Sequence, residues 1–245
     1  MIQTEKISYQ DPKKGKTFEG YMCWDDAVDG KRPGVLVSHT FKGQSDFEIG
    51  KAQDMAALGY VGFALDMYGV GKRATTPEQA DALMKPFLDD RALLLNNILL
   101  AFDTLKNHPQ VDPSQCGGIG FCFGGKCMLD LARSGVDING VVSFHGIYDQ
   151  PGLNHQGDIK ASVLVLHGWD DPLAKPDSTV ALGNELTERK ADWQILAFGH
   201  TGHAFTNPAA KFPEIGMLYQ EASNRRAWQA MVNFFEEIFE VIKQK

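Results

Sequence analysis

The sequence predicts an α/β fold, a mostly parallel central sheet with helices on both faces. Short continuous apolar runs such as Val35-Leu36-Val37-Ser38, Tyr60-Val61-Gly62-Phe63-Ala64-Leu65 and Ser162-Val163-Leu164-Val165-Leu166 have the character of strands buried on both faces. They alternate with longer segments of helical periodicity, which implies parallel strands joined by right-handed crossovers. Between one strand and one helix lies a glycine-rich turn, Gly118-Ile119-Gly120-Phe121-Cys122-Phe123-Gly124-Gly125. In such a sheet, functional residues belong on loops at the carboxyl ends of the strands.

In chain order, Ile2 to Trp24 alternates apolar and polar positions around Asp11-Pro12-Lys13-Lys14-Gly15, the signature of an antiparallel pair at a sheet edge. Arg32-Pro33-Gly34 leads into the strand ending at Ser38, and His39 to Gly43 is a turn. Ser45 or Asp46 caps a helix running to Leu58, and the Tyr60-Leu65 strand follows. Asp66 to Thr76 is a polar loop, with a helix after Pro77. Asp89 to Lys106 places Leu93, Leu94, Ile98, Ala101, Phe102 and Leu105 on one helical face, and Val111-Asp112-Pro113 ends it. A strand from Gln115 to Ile119 enters the glycine-rich turn, followed by a helix from Phe123 to Arg133. Gly140-Phe144, Ser162-Leu166 and Trp193-Leu196 are further strands, with a helix from Asp177 to Lys190 between the last two. Met217 to Ile242 reads as one closing helix with Trp228, Met231, Phe234, Phe235 and Ile238 on its apolar side.

With 245 residues, 43% of them hydrophobic and 22% charged, the chain has material for one sizeable core, and a single domain spanning 1–245 is expected. A net charge of -7 argues against a nucleic-acid partner, which requires clustered Lys and Arg. Lys13-Lys14 and Arg225-Arg226 read as solvated surface. Cys23, Cys116, Cys122 and Cys127 are too few for a disulfide scaffold and lack metal-ligand spacing. Met1 to Lys6 has no signal-peptide pattern and no apolar run spans a membrane, so a cytoplasmic protein with no membrane partner, monomer or homodimer, is expected.

Gly120-x-Cys122-x-Gly124 matches the nucleophile elbow GxSxG with cysteine in place of serine. The nucleophile of an elbow sits at a strained backbone position, where side chains at the flanking residues would strike the neighbouring strand or helix. The helix that follows aims unpaired N–H groups and a partial positive charge at the sulfur, favouring a thiolate. An elbow calls for an acid and then a histidine in later loops. Gly168-Trp169-Asp170-Asp171-Pro172 and Gly199-His200-Thr201-Gly202-His203-Ala204-Phe205 offer two of each, and spacing does not choose between them.

Taken together, Pro33-Gly34-Val35-Leu36-Val37, Gly120-Phe121-Cys122-Phe123-Gly124-Gly125, Gly168-Trp169-Asp170-Asp171-Pro172 and Gly202-His203-Ala204-Phe205 make the chain resemble the dienelactone hydrolase family of the α/β-hydrolase fold over nearly its whole length. The resemblance implies Asp171 as the acid and His203 as the base, leaving Asp170 and His200 as neighbours. It also implies that the oxyanion is held by the backbone N–H groups of Phe123 and Phe41. Cys122 then attacks an acyl carbonyl, His203 manages the proton, and Asp171 fixes the imidazole tautomer.

Two departures from the family pattern redirect the substrate. Members that open the dienelactone carry a glutamate immediately before the second oxyanion donor, where this chain has Thr40, and a carboxylate-binding arginine four residues after the histidine, where it has Asn207. The expectation therefore broadens to small esters or lactones, with Arg73 or Lys72 as a remaining source of positive charge. Phe41, Tyr68, Phe123, Tyr148 and Trp169 fall in loops facing the site and are candidates for an acyl pocket. His145 and His39 read as structural histidines, with His145 also a candidate pocket residue. His200-x-x-His203 lacks a third ligand, so no metal is expected. The glycines do not form a dinucleotide fingerprint, so no cofactor is expected. Cys122 and Cys127, five apart on a helix, point to different faces. The competing readings are a hydrolase of thioesters or phosphorus esters, and a non-catalytic binding or thiol redox-sensing protein on the same fold.

Overall fold

The computed structural model describes residues 1–153 and 157–239. The elements are β1 (Ile2–Gln10), β2 (Thr17–Asp25), β3 (Arg32–Ser38), α1 (Asp46–Ala57), β4 (Val61–Ala64), α2 (Pro77–Asp89), α3 (Arg91–Lys106), β5 (Val111–Phe121), α4 (Phe123–Arg133), β6 (Gly140–Phe144), β7 (Ser162–Gly168), α5 (Pro176–Glu188), β8 (Trp193–Phe198), β9 (Lys211–Phe212), β10 (Met217–Leu218) and α6 (Glu221–Ile238). Eight strands form one sheet in the order β1-β2-β4-β3-β5-β6-β7-β8. The β1–β2 and β2–β4 pairs are antiparallel, and every pair from β4 to β8 is parallel. This is the α/β-hydrolase architecture.

The sheet is covered on both sides because successive strand residues face opposite ways. Leu36, Val141 and Val163 pack with Ile98, Phe102, Met128 and Leu131 of α3 and α4. Their chain neighbours Val35, Val142 and Leu164 pack with Met55 of α1 and Met231 and Phe235 of α6. Each such fully buried side chain is worth about 1.5–3 kcal/mol relative to exposure. The approach of α6 is close because Gly117 has no side chain: a Cβ there would lie 2.8 Å from Phe235 and 2.9 Å from Phe239.

Topology prepares the site. The chain leaves β3 for β4 on one side and later returns to place β5 on the other, so the loops after β3 and β5 diverge. Ligands of open α/β sheets bind in the crevice at such a switch point. The loop after β3 ends at a capping box: the Ser45 hydroxyl accepts from the Phe47 N–H at 3.3 Å, and the Glu48 carboxylate accepts from the Ser45 N–H at 2.9 Å.

Three boundaries differ from the sequence expectation. Met217-Leu218 does not begin the closing helix but pairs antiparallel with Lys211-Phe212, and α6 starts at Glu221. Gly216, at φ 72, closes the turn between β9 and β10 and so brings the two short strands together. The expected continuation of that helix from Glu240 to Ile242 lies outside the described residues. Val111-Asp112-Pro113 does not merely end a helix but opens β5, where the register with β3 shifts between Pro33 and Gly34 and so accommodates both prolines. The helix expected from Asp89 begins at Arg91, because the Asp90 carboxylate caps it by accepting the Leu93 N–H at 3.0 Å. Among the described residues, no helix is long and apolar enough to cross a membrane.

Candidate active site

At the end of β5, Cys122 adopts φ 57 and ψ -114 as the N-cap of α4. A non-glycine residue there is strained by about 1–3 kcal/mol, and its surroundings must hold it. The Cys122 N–H donates to the Phe144 carbonyl at 3.0 Å, and its own carbonyl accepts the Gly125 N–H at 3.0 Å. The glycines are required by contact: a Cβ at Gly120 would overlap the Gly124 carbonyl, and one at Gly124 would overlap the Ser38 carbonyl. At Gly125 it would lie 2.6 Å from the Ser143 hydroxyl.

Every residue of α4 is buried, and a charge network holds the helix from beneath. Asp130 receives two bonds of 2.7 Å from Arg91 on α3 and one of 3.2 Å from Arg133. Arg133 in turn makes a two-pronged pair with Glu185 of α5 at 2.9 and 2.7 Å. Lys126 and Arg91 both bond Asp149 in the loop after β6. Sequence reading did not identify this network, although Lys126, Asp130 and Arg133 recur at helical spacing on one side of α4.

His203 and Asp171 meet in the interior. The Nδ1 of His203 lies 2.7 Å from Asp171 Oδ2, with side chains only 2% and 0% exposed. The second carboxylate oxygen accepts the Leu173 N–H at 2.8 Å, so both oxygens of Asp171 are occupied. His203 Nε2 is buried and makes no hydrogen bond of normal geometry among the described residues. Burial pulls the His203 imidazole down, but the nearby Cys122 side chain and the bonded Asp171 carboxylate outweigh it and push the value up to about 10. Cys122 is thus among the groups that act on the His203 imidazole. The other two candidates stay outside: His200 is fully exposed, 3.9 Å from Asp170, which is itself 57% exposed.

The backbone of His203 is gripped by the β9–β10 hairpin. Its N–H donates to the Gly216 carbonyl at 2.7 Å, and its carbonyl accepts the Leu218 N–H at 3.2 Å. His145 packs its ring 5.0 Å from that of His203 and bonds Thr206 through Nε2 at 2.8 Å. Burial, with the nearby His203 charge, holds His145 well below the ordinary imidazole value, so it stays neutral. It is 1% exposed and supports His203 from behind.

The loop after β3 carries His39, Thr40 and Phe41, and the His39 ring stands 4.7 Å from Tyr68 and 6.2 Å from Phe123. Among the described residues the N–H groups of Phe41 and Phe123 take no hydrogen-bond acceptor. Tyr68 is buried and donates its hydroxyl to the Phe41 carbonyl at 2.9 Å. The Arg73 guanidinium is engaged by Asp66 at 3.3 Å and by Gln44 at 3.0 Å. Trp169 is 45% exposed at the mouth of the Asp171 loop, and the Tyr148 hydroxyl is bonded to His167 at 3.0 Å. Asn207 turns its side-chain oxygen to the Ala209 N–H at 2.9 Å, within its own turn. Cys127 is a buried thiol, raised by desolvation. Among the described residues no cluster of three or more His, Cys, Asp or Glu is placed to hold a metal.

Residues 18–239 match the model of the dienelactone hydrolase family. The chain is 34% identical over 142 residues to an uncharacterized protein of Caenorhabditis elegans, covering 57% of this chain and 90% of that one. It is 24% identical over 240 residues to a protein of Synechocystis described as a putative carboxymethylenebutenolidase, covering 92% and 94% of the two chains. Among solved structures, a dienelactone hydrolase-like promiscuous phosphotriesterase from metagenomic libraries superimposes with a TM-score of 0.90 at 35% identity, covering 97% of this chain and 99% of its own. The chain belongs to the dienelactone hydrolase family and is by that membership a hydrolase of ester or lactone type.

Proposed function

We propose that the protein hydrolyses small esters or lactones through Cys122, His203 and Asp171. The observations that support the reading are the buried Asp171–His203 pair, joined at 2.7 Å, and Cys122 at the strained turn before α4, which acts on the same imidazole. The Cys122 thiolate attacks the carbonyl carbon, a C–S bond forms, and the carbonyl electron pair moves onto oxygen. The N–H groups of Phe41 and Phe123 receive that charge. When the intermediate collapses, the C–O bond breaks and the leaving alkoxide takes the proton from His203 Nε2. Water then attacks the thioester while His203 accepts its proton, the C–S bond breaks, and the acid leaves with the thiolate restored. Asp171 keeps Nδ1 protonated throughout.

The substrate favoured is small and uncharged. Neither Thr40 nor Asn207 supplies a charge, and the Arg73 guanidinium is already shared between Asp66 and Gln44. The test is turnover of a series of p-nitrophenyl esters by wild type and Cys122→Ala, with loss of turnover expected in the variant.

A second reading has its own support, since the relative 35% identical over 97% of this chain is described as a promiscuous phosphotriesterase. In it the same thiolate attacks phosphorus as the P–O bond to the aryl group breaks and the aryloxide leaves, the N–H pair holds a phosphoryl oxygen, and water then breaks the P–S bond to release the phosphodiester and restore the thiolate. Rates on a matched aryl acetate and aryl diethyl phosphate rank the two.

A further inference from the structure

We propose that His39 is a positioning residue for the reaction, gripping the Thr40 carbonyl so that the opposite end of the same peptide, the Phe41 N–H, is held toward the reacting oxygen. The inference rests on the reading in which that N–H receives the oxyanion. A peptide unit is planar and trans, so its C=O and the next N–H point in opposite directions, and fixing one aims the other.

The Thr40 carbonyl is held twice, by His39 Nδ1 at 2.6 Å and by the Gly43 N–H at 3.2 Å. The units on either side are held too. The Thr40 N–H donates to the buried Glu48 carboxylate at 3.2 Å, and the Phe41 carbonyl accepts the Tyr68 hydroxyl at 2.9 Å. Around this turn the Phe41 N–H is left without an acceptor among the described residues. An ordinary surface turn leaves such groups to water, whereas here three side chains from different parts of the chain, His39, Glu48 and Tyr68, converge on two consecutive residues.

The chemistry of its partners fixes the tautomer of His39. Its Nε2 faces the Met67 N–H at 3.1 Å, and a backbone N–H only donates, so Nε2 carries no proton. Its Nδ1 faces a carbonyl, which only accepts, so Nδ1 carries the proton. The Met67 carbonyl is held in turn by Asn97 of α3 at 2.9 Å. A chain of bonds thus runs from α3 through Met67 and His39 to the Thr40–Phe41 peptide. Burial pushes His39 down to about 4 despite the nearby Asp66 carboxylate, with the Arg73 guanidinium acting in the same sense as burial. The ring therefore remains a neutral donor at Nδ1.

The experiment compares two amides that replace different nitrogens of the ring. In His39→Asn the side-chain NH2 takes the place of Nδ1 and keeps the grip on Thr40. In His39→Gln the amide reaches the Met67 N–H and releases Thr40. Acylation by p-nitrophenyl acetate is followed by stopped flow, binding by KM, and oxyanion stabilisation by affinity for an aryl trifluoromethyl ketone. The expected result is that H39N acylates within threefold of wild type. H39Q should be slower by roughly 10- to 100-fold at unchanged KM, with a matching loss of ketone affinity, short of the 10²–10³ lost when an oxyanion donor is removed outright. Tyr68→Phe, which keeps the buried ring, should lose severalfold in the same two readouts. H39Q acylating within twofold of wild type, or the two amides losing rate equally, overturns the proposal. If H39Q does not fold, Tyr68→Phe decides alone, and full activity there overturns it. Wild-type enzyme that forms no acyl adduct on Cys122 removes the underlying reading first, and this inference with it.

Discussion

Asp171 offers one carboxylate oxygen to His203 at 2.7 Å and the other to the Leu173 N–H at 2.8 Å. The second bond matters for the first, because it fixes which oxygen is free to orient the imidazole. In Asp171→Asn the side-chain oxygen must still satisfy Leu173, so the NH2 turns to His203 Nδ1. It then forces the proton to Nε2, the wrong nitrogen to accept one from water. Fold and stability should change little while kcat falls by between about 10² and 10⁴, read from steady-state hydrolysis of an aryl acetate.

The pH behaviour of His203 should depend on Cys122. Its folded value, raised to about 10, lies above the ordinary imidazole value of 6.5. The group therefore adds stability that is fully present below pH 6.5 and is lost as pH rises through about 10. Removing the sulfur in Cys122→Ala removes the leading cause of the rise. Urea midpoints measured from pH 6 to 10.5 should therefore fall less steeply in the variant, and the His203 imidazole resonance should titrate lower. Identical slopes in the two proteins contradict the pairing.

Gly124→Ala should be destabilised by about 3 kcal/mol, since its Cβ would overlap the Ser38 carbonyl and neither backbone can move without shifting β3 or α4. Urea denaturation reads the loss. Gly50→Ala, where an added Cβ meets nothing within 4 Å, serves as the control.

Asp130→Ala should cost about 2–3 kcal/mol, because Arg91 and Arg133, which are 7% and 2% exposed, lose the anion they share and keep only Asp149 and Glu185. The loss should be read as a lower denaturation midpoint. A cost below about 1 kcal/mol sinks the claim that this network holds α4.

Much of this was legible in the chain. The apolar runs located the buried strands, and Gly120-x-Cys122-x-Gly124 located the turn. At Gly120 the physical reason is local, the Gly124 carbonyl four residues on, while at Gly124 it is the Ser38 carbonyl of β3, brought there by the fold. The pairing of Asp171 with His203 was not legible from spacing, since Asp170 and His200 stand as near in the chain. Burial separates the pairs, and burial is set by the whole fold. The Met217-Leu218 strand was missed because two apolar residues before a helix look like its first turn, and only the partner Lys211-Phe212 makes them a hairpin. Glu48 left a signal in the Ser45-x-x-Glu48 capping box, but its second task, holding the Thr40 N–H, depends on a loop that folds back over α1.

Whether Cys122 carries the acyl group is read from intact mass after rapid quenching of a p-nitrophenyl acetate reaction. A p-nitrophenol burst should accompany one acetyl added to the wild-type protein, localised by peptide mapping to Cys122 and missing from Cys122→Ala. Turnover with no burst or adduct, or an adduct on any other residue, contradicts that role for Cys122.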